Sequence, residues 1–570
     1  MAGCYASIAL TGVLLSGCNT VPQQQIQNAA LAQLSVPVMK LKAKKALDAG
    51  QFVEAAHWYE LASDRSDDEE LVHEATLAAY EHAQLKSAIH CAQRWLEINP
   101  TSQQAHEIAG LAAVRLYQVD IAFGHLDALL ATAYISPASG FLQLLPKLQA
   151  ADASASLAVV QRLAEKYSDV AEAHYVAAKL ASQTANQALM QSEAQRASEL
   201  APYWSSAGML LAHAQVAGDQ EDKALATAQA VLTNDNSITN RCEYADLLLE
   251  AGKVNEAIAL LKELEKDSSD AGSANMLLAQ LALQTGDFQS AFDYYSRLIN
   301  TGEHASEAMF GMAQISERAG ATDNARQLYA RIQDGEYAVP SQIRLAQLIS
   351  QHDGLEPALA SLKQYGDGNP DKALDMLRAR AELLIASGNT KSAMELYDQS
   401  VLNFPDEASL KLARAFLLVK LDKIAPAVQA MHELLAIRTD DPIVLNALGY
   451  TMIDRTSDVR QGQSYIQRAL QYSPDSGAVL DSMGWAEHKL GHGTAALDYM
   501  QRAIKRTVDA DLDLHLGEVL WSLKRYDDAI AAWQTGLTHA PKHVQLLQRI
   551  KTAEKQHKIA VKSDPKPPVD

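Results

Sequence analysis

The chain has 570 residues and a net charge of −20, and 48% of its residues are hydrophobic although only 6% are aromatic. This length allows three or four ordinary domains or one long array of repeats. With 28 glycines and 17 prolines, the chain has too few turn residues for an all-β protein of this size. The negative charge argues against a nucleic-acid partner, because binding a phosphate backbone requires a basic surface. The composition therefore predicts an all-α protein.

The first segment of the chain, MAGCYASIALTGVLLSGC, has the pattern of a secretory signal. Its apolar run, Ile8–Leu15, is too short to span a bilayer but suits the core of such a signal. Residues 15–18, Leu-Ser-Gly-Cys, resemble a bacterial lipobox, in which the cysteine is acylated and the preceding peptide is removed. The usual positive charge is missing, since no Lys or Arg precedes Lys40, and an ordinary apolar N-terminus is the alternative interpretation.

The lipobox resemblance implies that residues 1–18 are a signal peptide and that Cys18 carries the lipid. The residue after that cysteine is Asn19, where an aspartate would resemble an inner-membrane retention signal. We therefore expect anchoring in the outer membrane, facing the periplasm. Residues 19–37 are polar and rich in glutamine, and we expect them to form a short flexible tether.

A fixed spacing of 34 residues runs through the chain. It separates six successive glycines, namely Gly218, Gly252, Gly286, Gly320, Gly354 and Gly388. Five residues after many turn glycines stands an alanine, and four residues further on stands a large apolar side chain. These pairs are Ala55 and Tyr59, Ala257 and Leu261, Ala291 and Tyr295, Ala325 and Tyr329, Ala393 and Tyr397, and Ala496 and Met500. The pattern resembles the tetratricopeptide repeat, a helix-turn-helix of 34 residues.

The resemblance implies an all-α superhelical solenoid of about fifteen helical hairpins over residues 38–541. In each hairpin a left-handed glycine ends the first helix, and alanine lets the two helices approach closely. Residues 542–557 are predicted to form a capping helix that covers the last apolar face, and residues 558–570, with three prolines, a disordered tail. Since no long linker interrupts the array, we expect one continuous superhelix with a concave and a convex surface.

The sequence contains no pattern typical of a catalytic or metal site. It has no HExxH, GxSxG or P-loop motif, and none of its four cysteines forms a CxxC pair. His488 and His492 are separated by Gly491, which is expected to end their helix. Cys91 and Cys242 fall inside helical patterns and are predicted to be small buried side chains rather than a disulfide. We therefore predict a protein that is not an enzyme and that needs no cofactor or metal.

The C-terminal repeats contain the candidate binding residues. In the tetratricopeptide family the first helix of each unit lines the concave surface, and aligning Gly449, Gly484 and Gly517 superposes three such helices. The inward positions then hold polar and aromatic side chains, which suit an extended peptide. Alternatively, the tryptophans simply pack between hairpins. The predicted groove residues are Asn446 and Asp481, in one row with Leu514, and Tyr450, Trp485 and Glu518 in the next row, extended by Trp521.

Three stretches are more specific than a generic repeat. They read NALGYTMIDRT from position 446, VLDSMGWAEHKLG from position 479 and LHLGEVLWSLKRYDDAIAAW from position 514. Together with the lipobox, they resemble large tetratricopeptide lipoproteins of Gram-negative outer membranes. One group of these is an adaptor that delivers cell-wall hydrolases to the periplasmic carboxyl-terminal processing protease. The resemblance implies a lipid-anchored scaffold with that protease and peptidoglycan hydrolases as partners. The alternative is an assembly component of a polysaccharide-export or pilus machinery.

Overall fold

The computed structural model describes residues 34–132, 136–266 and 271–563, with backbone alone for residues 554 and 556–563. Within these ranges all regular structure is helical: thirty-one α-helices and one short 3₁₀ helix, Pro370–Lys372. The α-helices are α1 Val36–Asp48, α2 Phe52–Ser63, α3 Glu69–Glu81, α4 Leu85–Ile98, α5 Gln103–Arg115, α6 Val119–Thr132, α7 Pro137–Ala150, α8 Ala153–Lys166, α9 Ala171–Gln183, α10 Gln187–Leu200, α11 Ser205–Ala217, α12 Glu221–Asn234, α13 Ile238–Glu250, α14 Val254–Leu264, α15 Ala271–Thr285, α16 Phe288–Thr301, α17 Ala305–Arg318, α18 Thr322–Arg331, α19 Ala338–His352, α20 Leu355–Gly368, α21 Ala373–Ala386, α22 Thr390–Asn403, α23 Ala408–Lys420, α24 Ile424–Ile437, α25 Pro442–Arg455, α26 Val459–Tyr472, α27 Gly477–Lys489, α28 Gly493–Ile504, α29 Ala510–Ser522, α30 Tyr526–His539 and α31 Val544–Ser563.

Successive helices pair into fifteen antiparallel hairpins, α1–α2 through α29–α30, and α31 follows the last of them. This confirms the predicted solenoid and its terminal helix. The pattern residues do what the spacing implied: Ala291 is fully buried where α15 and α16 cross, and the ring of Tyr295, one turn later, is 3% exposed. Each hairpin thus buries one apolar stripe internally and another against its neighbour, so the core is a continuous strip along the array.

The turn inside each hairpin needs one residue with positive φ. Glycine supplies it in many units, as at Gly286 with φ +80°. The expectation fails at Gly218, where φ is −90° and the next residue, Asp219, takes the left-handed conformation at +57°. At Ala83, Tyr117 and several other turns the left-handed residue carries a side chain as well. The 34-residue spacing of this conformation therefore persists where the glycines do not.

The chain end differs in detail from the prediction. Helix α31 runs from Val544 to Ser563, six residues into the segment predicted as a disordered tail. The physical reason is that residues 558–563 contain no proline or glycine, and the first helix-breaking residue is Pro565. The predicted signal peptide, Cys18 and most of the tether lie outside the described residues. Within the described residues, none of the helices is both long and apolar enough to cross a membrane.

Two successive turns of the superhelix touch along a line that we call the seam. On one side are the turns inside the hairpins between α3 and α12, and on the other are the connections that follow α22, α24, α26 and α28. The hydrogen bonds across it join residues 286 to 323 positions apart in the chain. They include Gln84 Nε2 to Asn403 O at 2.8 Å, the Lys86 amide to Asp406 at 3.1 Å, the Asp475 amide to Ala185 O at 3.0 Å, the Gln187 amide to Asp475 at 3.1 Å, and Arg506 to Ala217 O at 3.2 Å.

Arg438 is the most buried charge at the seam, with 5% of its side chain exposed. It lies between two N-cap aspartates: Asp441 of α25, whose Oδ2 is 2.7 Å from Nε, and Asp152 of α8 on the facing turn. Nη1 donates to the carbonyl oxygen of Arg115 at 3.2 Å, and the guanidinium stacks 4.8 Å above the ring of Tyr117. Burial works against the charge, but the two carboxylates raise the pKa of Arg438 above its ordinary value. A paired arginine therefore joins the two turns.

Candidate functional site

The first helices of hairpins 12 to 15 form a concave surface with two adjoining cavities, which we call the C-terminal groove. The outer cavity, of about 430 Å³, is lined from α23, α25, α27 and α29, and the inner one, of about 460 Å³, from α25, α27, α29 and α31. Tyr450 and His515 line both cavities and form the boundary between them. The groove is thus assembled from residues that are about one repeat apart in sequence.

Five of the six predicted groove residues line these cavities. Asn446, Tyr450 and Asp481 face the outer cavity, and Tyr450, Trp485 and Glu518 face the inner one. They meet because α25, α27 and α29 stack side by side, so equivalent positions in consecutive first helices form inward rows. Alignment of the repeat glycines was sufficient to find them.

Trp521 does not line either cavity. Its ring makes an edge contact with Tyr526, at 4.6 Å between centroids, and a tilted contact with Trp533 at 5.8 Å. The reason is its position one helical turn after Gly517, where α30 crosses so closely that an added Cβ would lie 2.0 Å from Trp533 Nε1. Trp521 therefore faces its own hairpin partner, as in the alternative that tryptophans pack between helices.

Trp485 lies at the groove, but its ring faces are largely occupied. His515 stacks on it at 4.4 Å between centroids and His488 at 5.1 Å, while the Lys489 ammonium lies 4.7 Å from the ring centre. Its Nε1 donates to Asp454 at 3.3 Å. Trp485 thus holds its neighbours in place rather than offering a free aromatic face.

His515 is the central residue that sequence reasoning missed. Its Nδ1 lies 2.9 and 3.0 Å from the two carboxylate oxygens of Asp481, and its Nε2 lies 3.4 Å from the Tyr450 hydroxyl. The only available signal was its position beside the inward Leu514, exactly one 34-residue period after Asp481. The bond to Asp481 crosses from α29 to α27 and joins two hairpins.

We expect His515 to titrate above its ordinary pKa of 6.5. Burial lowers the pKa of His515, but the hydrogen bond and charge of Asp481, with the charges of Asp511 and Asp454, outweigh burial and raise it. Because the folded value exceeds the unfolded value, the stability contributed by this pair is complete below the unfolded pKa. It is lost as pH rises through the raised pKa.

Ring-resonance NMR titration of the histidines tests this expectation. In the variant Asp481→Asn the pKa of His515 should fall below 6.5, since burial then dominates. His488, on the same Trp485 ring, is the internal control, because burial lowers its pKa and it should titrate below 6.5 in both proteins. A His515 that titrates below 6.5 in the unchanged protein would contradict the prediction.

Acidic side chains outnumber basic ones along the groove. Asp481, Asp509 and Asp511 line the outer cavity, where His515 is the only basic residue. In the inner cavity Glu518 pairs with Arg549. The described residues contain no group of three or more His, Cys, Asp or Glu side chains placed to hold a metal ion. The arrangement is therefore one that can bind positively charged groups along its length.

The two cysteines among the described residues are buried and free, as predicted. Cys91 is fully buried in α4 and Cys242 is 5% exposed in α13. Burial also raises the pKa of the Cys91 thiol to about 12, so it stays protonated at neutral pH.

Comparisons with known proteins agree with this architecture. The tetratricopeptide repeat family profile matches residues 243–305 and 482–542. This chain carries tetratricopeptide repeats. In sequence, the chain is 28% identical over 211 residues to a TPR repeat-containing protein of Pseudomonas aeruginosa, a match that spans 37% of this chain and 36% of that protein. The repeats mark the chain as a protein-binding scaffold, because stacked hairpins of this kind create an extended concave binding surface.

Solved structures with similarity to the chain include yeast Tom70, at 13% identity and a TM-score of 0.34, covering 93% of this chain and 97% of Tom70. A chain in the crystal structure of the APC/C hetero-tetramer Cut9–Hcn1 is 14% identical with a TM-score of 0.32, covering 93% of this chain and 98% of that one.

Proposed function

We propose that this protein is a non-enzymatic, lipid-anchored periplasmic adaptor that holds a processing protease and its cell-wall hydrolase substrates together. The observation that carries the proposal is the C-terminal groove. It lies on the concave side of the repeats and is formed by the same three sequence stretches that resemble the lipoprotein adaptors. An adaptor of this kind works by raising the effective concentration of one partner near another, and it needs no catalytic residue of its own.

The anchor belongs to the same proposal. A lipid on Cys18 would tether the array to the outer membrane, and residues 19–37 would let it reach into the periplasm. Since each buried methylene contributes about 0.8 kcal/mol, several acyl chains on one cysteine are sufficient for stable anchoring.

Affinity capture tests the proposal. The chain from Asn19 onward, immobilised and exposed to periplasmic extract, should retain a processing protease, a peptidoglycan hydrolase, or both, relative to bare resin. A strain lacking the gene should accumulate the hydrolases. Capture of neither class, with hydrolase levels unchanged, would overturn the proposal. Capture of export or pilus components, with loss of polymer or pili in the deletion strain, would favour the alternative.

A further inference from the structure

We propose that the outer cavity of the C-terminal groove binds an extended peptide segment in which a lysine or arginine stands next to a large apolar residue. This inference rests on the proposed function of the repeats as a scaffold, and it specifies the chemistry of the segment that the scaffold holds.

The first observation is an apolar ledge at one side of the outer cavity. Phe416 of α23 is 48% exposed and Ile443 of α25 is 62% exposed, and both line the cavity. Phe416 and Ile443 lie in consecutive first helices, whose other large apolar side chains are mostly buried. An apolar partner side chain placed on this ledge would remove both from water.

The second observation is the set of hydrogen-bond acceptors across from the ledge. The carboxylates of Asp481, Asp509 and Asp511 line the opposite wall, and His515 is the only basic side chain of the cavity. On the floor, the Asn446 Oδ1 atom is buried and has no hydrogen-bond partner. A buried acceptor without a donor is costly, so the site is complementary to a ligand that supplies N–H groups.

The shape selects a chain rather than an ion. The carboxylates are spread along the groove and do not converge into a metal-binding group among the described residues. The cavity volume of about 430 Å³ lies in the range of small-ligand and peptide pockets. A lysine or arginine satisfies the carboxylates, the peptide N–H groups reach the amide oxygen, and the neighbouring apolar side chain covers the ledge.

The experiment uses fluorescein-labelled nonapeptides of alanine, serine and glycine with a central Leu-Arg pair, and fluorescence anisotropy with the full chain. Two partner peptides replace the arginine with glutamate or the leucine with alanine. The Leu-Arg peptide should bind more tightly than either, and its affinity should fall as salt is raised. Equal affinity for all three peptides, stronger binding of the glutamate peptide, or no binding of the Leu-Arg peptide overturns the inference.

Two protein variants locate the site. Ile443→Ser removes the exposed ledge, and Asp509→Asn removes a charge while keeping an N-cap side chain on α29. Each should weaken the Leu-Arg peptide by about threefold to tenfold. Matched controls outside the cavity are Ile437→Ser, at a side chain 59% exposed, and Asp287→Asn, at the N-cap of α16. Unchanged affinity in both site variants, with helical content preserved by circular dichroism, overturns the inference.

The outcomes separate this inference from the proposed function. Peptide binding at the cavity without capture of a protease or hydrolase would support the inference and count against the adaptor role. Capture of those partners equally well by the two site variants, with no binding of the Leu-Arg peptide, would support the adaptor role and overturn the inference.

Discussion

Replacing Arg438 with methionine is expected to open the seam between the two superhelical turns. The variant leaves Asp441, whose side chain is 4% exposed, and Asp152 facing each other without their counter-charge. Removing one partner of a buried ion pair costs about 3–5 kcal/mol, because the other charge stays desolvated. The seam amides of Lys86 and Gln187 should then exchange hydrogen about a hundredfold faster or more, and small-angle scattering should show a larger radius of gyration.

Two further variants make this result specific. Arg414→Met breaks an exposed pair with Asp398, and it should cost less than about 1 kcal/mol and leave the seam closed. Adding Asp152→Asn to Arg438→Met should restore part of the protection, since one unpaired carboxylate is removed while an N-cap side chain remains. Unchanged exchange in Arg438→Met would show that the seam does not depend on this residue.

Replacing Trp533 with alanine is expected to unfold the end of the array and abolish the groove. Trp533 is fully buried, its Nε1 donates to Leu514 O at 3.0 Å, and its ring fills the space beside Gly517. Truncating a buried tryptophan costs about 3–5 kcal/mol. Because each hairpin is stabilised mainly by its neighbours, the loss should concentrate in α29–α31, which carry His515 and Glu518.

Hydrogen exchange resolved by segment measures this effect. The amides of α29–α31 should lose protection while those of α1–α22 keep it, and the Leu-Arg peptide should no longer bind. Tyr203→Ala, at a side chain 86% exposed, is the control and should change stability by less than about 0.5 kcal/mol. A uniform loss of protection along the whole chain would contradict the prediction and indicate that the seam couples the two turns into one cooperative unit.

Several features of the groove were accessible from sequence because they repeat. Asn446 and Asp481 could be placed in one row, and Tyr450 beside Trp485 and Glu518, since equivalent positions of stacked helices face the same way. Trp521 was misplaced because the crossing of α30 near Gly517 assigns its face to the hairpin partner.

His515 was missed for a related reason. Its role depends on contacts with Asp481, Tyr450 and Trp485, which come from two other hairpins, and a single histidine inside an apolar stretch carries no mark of those contacts. The unpartnered Asn446 oxygen is likewise visible only when the neighbouring helices are in place.

By itself, the sequence determined the repeated unit: two helices, a left-handed turn and an apolar stripe every 34 residues. These features follow from interactions within one hairpin and its neighbour, so each unit encodes them locally. Only the tertiary structure decided how the units accumulate into a superhelix whose turns meet at Arg438 and Asp152. Small rotations between hairpins add up over nearly 300 residues, and no local pattern specifies which loops finally meet.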